Sequence, residues 1–324
     1  MKTHIRLALP VILSFMLVVG VALPALTSDA EAGTPNTVVS PISKDGFIKT
    51  VSGTTAIKPM SNDQTKANPK PADSKPKAAV TIRVHGENTV LSTLPLLLDS
   101  TTYVPLYDFC KLIDTATMTQ YEDSTVINLP DLQIEATANN FYIIANGRYL
   151  YTPTLCRMVD NVMYVPIRPL VKAFGLSISW YQPSRTITIS PNYGYDPIEH
   201  GDTFYNKTDL LWLSRIISAE SRGESMDGKI AVGNVIMNRL RSPSFPNSVH
   251  GVIFDRRSGI QFSPAYSGAI NNTPDASCII AAKLALDGAN VVDNSLYFNQ
   301  ARLRSWASRN RTFVVTIGNH SFFA

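Results

Sequence analysis

A chain of 324 residues, 44% hydrophobic and 17% charged, is apolar enough to bury real cores and long enough for two domains of ordinary size, which excludes a wholly disordered protein. A formal charge of +4 suits an anionic surface but selects no partner by itself. No Lys/Arg stripe interleaved with aromatics is present, so nucleic acid is excluded as the expected partner.

At the N-terminus, Lys2, His4 and Arg6 precede an apolar run from Leu7 to about Leu26, which ends near Ala30-Glu31-Ala32. This predicts a secretory signal peptide over residues 1–32. The run also approaches the length that crosses a bilayer, so an uncleaved membrane anchor is the alternative. Either way, the remainder is expected outside the cell. Residues 33–79 are rich in Ser, Thr, Asn, Lys and Pro, as in Asn68-Pro69-Lys70-Pro71. Such a segment buries too little apolar surface to offset its ordering entropy and is expected to be a Pro/Lys-rich disordered linker.

Residues 80–190 show short β-branched alternations and an internal repeat offset by about 60 residues. Thr102-Tyr103-Val104-Pro105-Leu106 is echoed by Met163-Tyr164-Val165-Pro166-Ile167. Each copy continues into an apolar-periodic helix, Leu106 to Ile113 and Ile167 to Phe174, and then a strand, Tyr121 to Ile127 and Tyr181 to Ile187. A duplicated small α+β module is therefore expected. Its Tyr-Val-Pro-(Leu/Ile) turns and closing Thr-Ile-Thr-Ile strand resemble the copper amine oxidase N-terminal-like, or stalk, domain of secreted proteins from Gram-positive bacteria. His85 and His200 flank the module singly and no ligand cluster has metal spacing, so no metal or cofactor is expected. Wall attachment and a plain spacer are both open as its role. Three cysteines are too few for a disulfide framework, and whether Cys110 pairs with Cys156 is open.

A polar stretch over 191–207, including Tyr193-Gly194-Tyr195-Asp196-Pro197, is read as a second linker before a domain over 208–324. There Thr208 is the expected N-cap of a helix that places Leu213, Ile216, Ile217 and Glu220 at i, i+3, i+4 and i+7. A carboxyl on that core-directed face has its ionised form disfavoured and its pKa raised, as a general acid requires. The alternative is a frayed last turn, stopped by Gly223, from which Glu220 reaches water. A helix from Met226 to Leu240 follows, with Ser225 as N-cap. A third has Thr273 as N-cap, Pro274 at its first position and Gly288 past its end. Strands are expected at Ser295–Phe298, Phe313–Ile317 and His320–Phe323, so helices precede strands in an α+β domain.

Six blocks carry a second resemblance: Ile217-Ser218-Ala219-Glu220-Ser221-Arg222-Gly223-Glu224, Ala231 to Arg239, Ser242 to Pro246, Gln261-Phe262-Ser263-Pro264, Leu296-Tyr297-Phe298 and Ile317 to Phe322. In this order over about 115 residues they resemble the SleB/CwlJ type of cell-wall hydrolase, the spore cortex-lytic enzymes. The resemblance implies a lysozyme- or transglycosylase-like α+β fold, a partner in the peptidoglycan glycan strands of a cell wall or spore cortex, and one essential acid at Glu220. It also favours a lytic transglycosylase, in which the sugar's own C6 hydroxyl closes a 1,6-anhydro ring. A muramidase-type hydrolase would need a second carboxylate, for which Glu224 is nearest in sequence.

Binding candidates are Glu224, Asn238, Gln261, Phe262, Tyr297 and His320, each with a structural alternative. Tyr297 and Phe298 can stack on sugars or fill a core, while the amides of Asn238 and Gln261 can hold N-acetyl groups or brace loops. Arg222 and Arg239 can meet substrate carboxylates or pair with Glu224 or Asp227. Rival readings are a Cys278/His320 cysteine peptidase of wall peptides and an inactive wall-binding protein.

Overall fold

The computed structural model describes residues 80–324 apart from 85, 90 and 192–195. The expected signal peptide and first linker lie outside the described residues, as does part of the expected second linker. The described chain mixes helices and strands in an α+β arrangement with two main apolar cores.

The first half comprises β1 (Thr81–Val84), β2 (Glu87–Thr89), β3 (Leu96–Leu98), β4 (Thr101–Pro105), α1 (Leu106–Ile113), β5 (Thr117–Gln120), β6 (Ser124–Asn128), β7 (Gln133–Thr137), β8 (Tyr142–Ala145), β9 (Arg148–Tyr151), β10 (Arg157–Val159), β11 (Val162–Pro166), α2 (Ile167–Ala173), β12 (Leu176–Tyr181) and β13 (Thr186–Pro191). They form three sheets, ordered β12-β13-β1-β2, β10-β11-β4-β3 and β5-β6-β7-β8-β9. The two Tyr-Val-Pro strands, β4 and β11, pair antiparallel with Val104 opposite Val165. Each strand ends at its proline, which lacks a ladder N–H and, at φ −64° for Pro105 and −56° for Pro166, turns the chain into α1 or α2. Ile127, Ile134, Ile143, Ala145 and Leu150 are buried on one side of the five-stranded sheet.

The expected strands at Tyr121 and Tyr181 begin later than their β-favouring tyrosines suggest. Tyr121 instead opens a turn whose N–H reaches the Ser124 carbonyl at 2.8 Å. Tyr181 closes β12, and the chain reverses through Arg185 at φ +49°, a left-handed residue with no glycine to announce it. All three cysteines are buried and free, so Cys110 and Cys156 are unpaired.

The second half runs α3 (Gly201–Phe204), α4 (Lys207–Ser221), α5 (Met226–Arg241), α6 (Val249–Ile253), α7 (Pro264–Ser267), α8 (Ala276–Leu286), β14 (Tyr297–Gln300), α9 (Trp306–Asn310), β15 (Phe313–Ile317) and β16 (His320–Phe323). Two caps differ from expectation. Asn206, not Thr208, caps α4 by accepting from the N–H groups of Thr208 and Asp209 at 2.9 and 3.1 Å. Asp275, not Thr273, caps α8 by accepting from Cys278 N–H at 2.9 Å. In both places an Asn or Asp side chain close to the helix offers a good acceptor to the unpaired amides of the first turn. Ser225 caps α5 as expected.

Helices α4, α5 and α8 pack around Leu213, Ile216, Ile217, Val232, Ile236, Ala281 and Leu284, all without solvent exposure. Gly233 permits the close approach, because a Cβ there would stand 3.1 Å from both Ala285 Cβ and Ile217 Cδ1. The small sheet β14-β16-β15 seats Phe322 against Ala231 and Val235 of α5. It thereby holds β14 and β16 beside the C-terminal turn of α4.

The two halves meet across α8. Tyr142, Tyr149 and Tyr151 from β8 and β9 pack on the second core. Asp287, just past α8, accepts from Arg148 Nη2 at 2.6 Å and Nε at 3.1 Å, and from the hydroxyl of Tyr205. Lys172 Nζ lies 3.6 Å from the same carboxylate, and Arg148 stacks on the Phe204 ring at 3.3 Å.

Candidate active site

Glu220 occupies the last turn of α4, where its helical spacing from Leu213, Ile216 and Ile217 carries it away from open solvent. It faces a cleft of about 340 Å³ whose other walls come from α5 (Arg239), the loop 260–263 (Ile260, Gln261, Phe262, Ser263), β14 (Phe298, Asn299, Gln300) and β16 (His320). Burial pushes its carboxyl up to about 7, with no charged neighbour responsible and no hydrogen-bond or ion partner among the described residues. A carboxyl poised there is protonated in an appreciable fraction of molecules near neutral pH and has no competing use for its proton.

Arg239 forms the facing wall as a buried cation. Its Nε donates to the Leu296 carbonyl at 2.7 Å and its Nη1 has no partner. The guanidinium lies over the rings of Phe245, Phe262 and Tyr297 at 4.8, 5.1 and 5.4 Å. Burial holds its pKa down to about 10, and no carboxylate among the described residues lies within ion-pair distance. The possible pairing with Glu224 or Asp227 is therefore not made. His320 stands edge-on to Phe298 at 5.3 Å, with its Nδ1 buried and unpartnered. Burial lowers its pKa, partly offset by the negative charge of Glu224.

Six of the residues singled out in the sequence thus share one cleft: Glu220, Arg239, Gln261, Phe262, Phe298 and His320. Phe262 is almost wholly buried and forms the apolar floor, tilted against Phe298 at 6.1 Å. Gln261 turns its amide to the Gly259 carbonyl at 3.2 Å, bracing its own loop. Glu224, Asn238, Tyr297 and Arg222 stand outside the lining. Glu224 accepts from Asn319, Asn238 donates to the carbonyls of Asp293 and Ser295, and Tyr297 packs with Phe245, Trp306 and Arg239. Arg222 is committed to Ser218 and the Thr273 carbonyl. Ser263, from the loop 260–263, also lines the cleft, as do Asn299 and Gln300, which join it only through the pairing of β14 with β16.

Among the described residues that line the cleft, Glu220 supplies the only carboxylate. The arrangement therefore offers an acid with no second carboxylate among the described lining residues, in a pocket edged by a cation, an imidazole, amides and aromatic rings. Cys278 is buried in the helical core and burial pushes its thiol up to about 11, which leaves little thiolate for nucleophilic attack. No group of three or more His, Cys, Asp or Glu among the described residues could hold a metal ion.

Residues 223–323 match the cell wall hydrolase family, and residues 83–189 match the copper amine oxidase N-terminal domain. Glu220 lies immediately ahead of the first of these segments, in the adjoining helix. A spore cortex-lytic enzyme of Bacillus cereus is 37% identical over 119 residues, covering 36% of this chain and 45% of the relative. The spore cortex-lytic enzyme of Bacillus subtilis is 34% identical over 119 residues, covering 36% of this chain and 38% of the relative. The chain thus spans less than half the length of these curated relatives. The catalytic domain of the germination-specific lytic transglycosylase SleB from Bacillus anthracis is 34% identical, covering 39% of this chain and 100% of that one, with a TM-score of 0.34. In chain order, a segment similar to the copper amine oxidase N-terminal domain thus precedes a segment similar to the cell wall hydrolase family.

Proposed function

We propose that this chain cleaves peptidoglycan glycan strands between N-acetylmuramic acid and N-acetylglucosamine as a lytic transglycosylase, with Glu220 as acid and then base. The observation that carries the reading is the desolvated, unpartnered Glu220 carboxyl, the sole carboxylate among the described lining residues. In the first step the protonated Glu220 gives its proton to the bridging oxygen. The bond from that oxygen to muramyl C1 breaks, and an oxocarbenium-like centre forms at C1. The muramyl C6 hydroxyl then attacks C1 and yields its proton to the Glu220 carboxylate. A 1,6-anhydro end results, and the acid is regenerated without consuming water.

Arg239 and the amides along Gln261, Asn299 and Gln300 suit a substrate rich in N-acetyl groups and bearing a carboxylate. The sequence relatives are named for the spore cortex, and we take cortex peptidoglycan as the substrate and an exported, wall- or spore-associated location as the setting. The second half, over 208–324, is read as a lysozyme-like catalytic domain. The first half, over 80–190, is read as a duplicated stalk, on the strength of the Val104–Val165 pairing of its two Tyr-Val-Pro strands. Release of soluble material from purified cortex tests the activity. It should be abolished by Glu220→Gln and retained in Cys278→Ser; the reverse pattern would move the chemistry to the thiol.

A further inference from the structure

A second cavity, of about 620 Å³, lies where the two halves meet, remote in the fold from the Glu220 cleft. Its size falls within the roughly 300–1,000 Å³ of small-molecule sites. Tyr151, Arg168, Lys172, Ser179 and Trp180 line it from the first half and Asn290 from the second. Trp180 is 40% exposed, and its indole is oriented by a 2.6 Å hydrogen bond from Nε1 to Gln182. Arg168 is exposed with no hydrogen-bond or ion partner among the described residues. Lys172, one helical turn along α2, donates to the Asp287 carbonyl at 2.7 Å. The only lining carboxylate among the described residues, Asp287, is 1% exposed and taken up by Arg148 and Tyr205. The lining therefore offers an aromatic ring and an unpaired cation, with no accessible carboxylate among the described residues to repel an anion.

We propose that this junction cavity is a second carbohydrate site, in which a sugar stacks a ring face on Trp180 and the carboxylate of a short peptide carried on that sugar is set on Arg168. It rests on the reading that the polymer cut at Glu220 is peptidoglycan, whose muramyl lactyl groups carry stem peptides with free carboxylates. A glycan held at the junction raises the effective concentration of neighbouring strands at the cleft without any change in the cleft itself. Both domains contribute to the site, which gives the stalk a role in substrate retention rather than spacing alone.

The test uses the full chain and purified peptidoglycan carrying intact stem peptides. In a Glu220→Gln background, Trp180→Ala and Arg168→Gln should each weaken binding to the insoluble polymer about tenfold, the loss of one charge-assisted or stacking contact. With Glu220 intact, the same substitutions should slow release from the polymer while leaving cleavage of a short soluble glycan unchanged. Calorimetry should show N-acetylmuramyl-alanine, with its free carboxylate, binding more tightly than N-acetylglucosamine, a preference lost in Arg168→Gln. Unchanged polymer affinity in both variants, with the Glu220-intact chain still cleaving, would overturn the cavity and leave the active-site reading standing. A chain that cleaves nothing but keeps the Arg168-dependent preference would support the cavity and sink the active-site reading.

Discussion

Glu224 accepts two hydrogen bonds from Asn319, one from the backbone N–H at 3.1 Å and one from side-chain Nδ2 at 2.9 Å. The carboxylate nearest in sequence to Glu220 is thereby tied to the turn between β15 and β16, outside the cleft lining. Its role is to seat the hairpin that carries His320. Gly318 in that turn has φ +56°, and a Cβ there would stand 1.9 Å from Glu224 Oε2, so the anchor depends on glycine.

Glu224→Gln should accordingly keep product release within about tenfold of wild type, whereas Glu220→Gln should lose about 10² to 10⁴, the range of a general acid. The Glu224 substitution should cost about 1 kcal/mol of stability, and Gly318→Ala more, by denaturant titration. It should also lower the His320 pKa further, because the Glu224 charge opposes the lowering by burial. A Glu224→Gln chain as inactive as Glu220→Gln would contradict this division.

The pH dependence follows from Glu220. With its carboxyl at about 7, activity should fall as pH rises through 7, as the acid loses its proton. The native state binds this proton more tightly than the unfolded chain. The group therefore lowers stability as pH rises from about 4.5 to 7, by up to about 3 kcal/mol. Glu220→Gln should remove that loss, so the variant should gain stability over wild type at pH 8 but not at pH 4, as read by denaturant titration at the two values.

Arg239 separates binding from folding. Arg239→Met keeps an unbranched apolar stem, shorter than that of arginine, while deleting the buried charge and the hydrogen bond to Leu296. Those changes should largely offset, leaving stability within about 2 kcal/mol of wild type. Product release should fall at least tenfold, chiefly through KM, because the unpartnered Nη1 is then missing from the cleft wall. Loss of folding with no change in KM would make the guanidinium purely structural.

Asp287→Ala leaves Arg148 buried without its carboxylate, which should cost about 3 to 5 kcal/mol. Calorimetry should then show separate unfolding of the two halves, whose joining network centres on that carboxylate. A single transition at the wild-type temperature would contradict the account.

What was legible in the sequence was local. The 3.6-residue periodicity and Ser225 placed α5, and the spacing from Leu213 placed Glu220 on the inward face of α4. The prolines of the two Tyr-Val-Pro segments marked where strand becomes helix. What was not legible depended on distant partners or on competing local ones. Asn206 and Asp275 displaced Thr208 and Thr273 because several acceptors lie near each helix start. Arg185 adopts a left-handed turn that no glycine announces. The partnership of Arg148 with Asp287 spans 139 residues, and Asn299 and Gln300 reach the cleft only once β14 pairs with β16. Periodicity within one segment carries no information about such pairings.

The most direct test of the account is mass spectrometry of fragments released from purified cortex peptidoglycan, with Glu220→Gln in parallel. Anhydromuramyl ends, lighter by one water than hydrolysed ends and absent with the variant, are the predicted result. Reducing muramic ends, or release undiminished in Glu220→Gln, would contradict it.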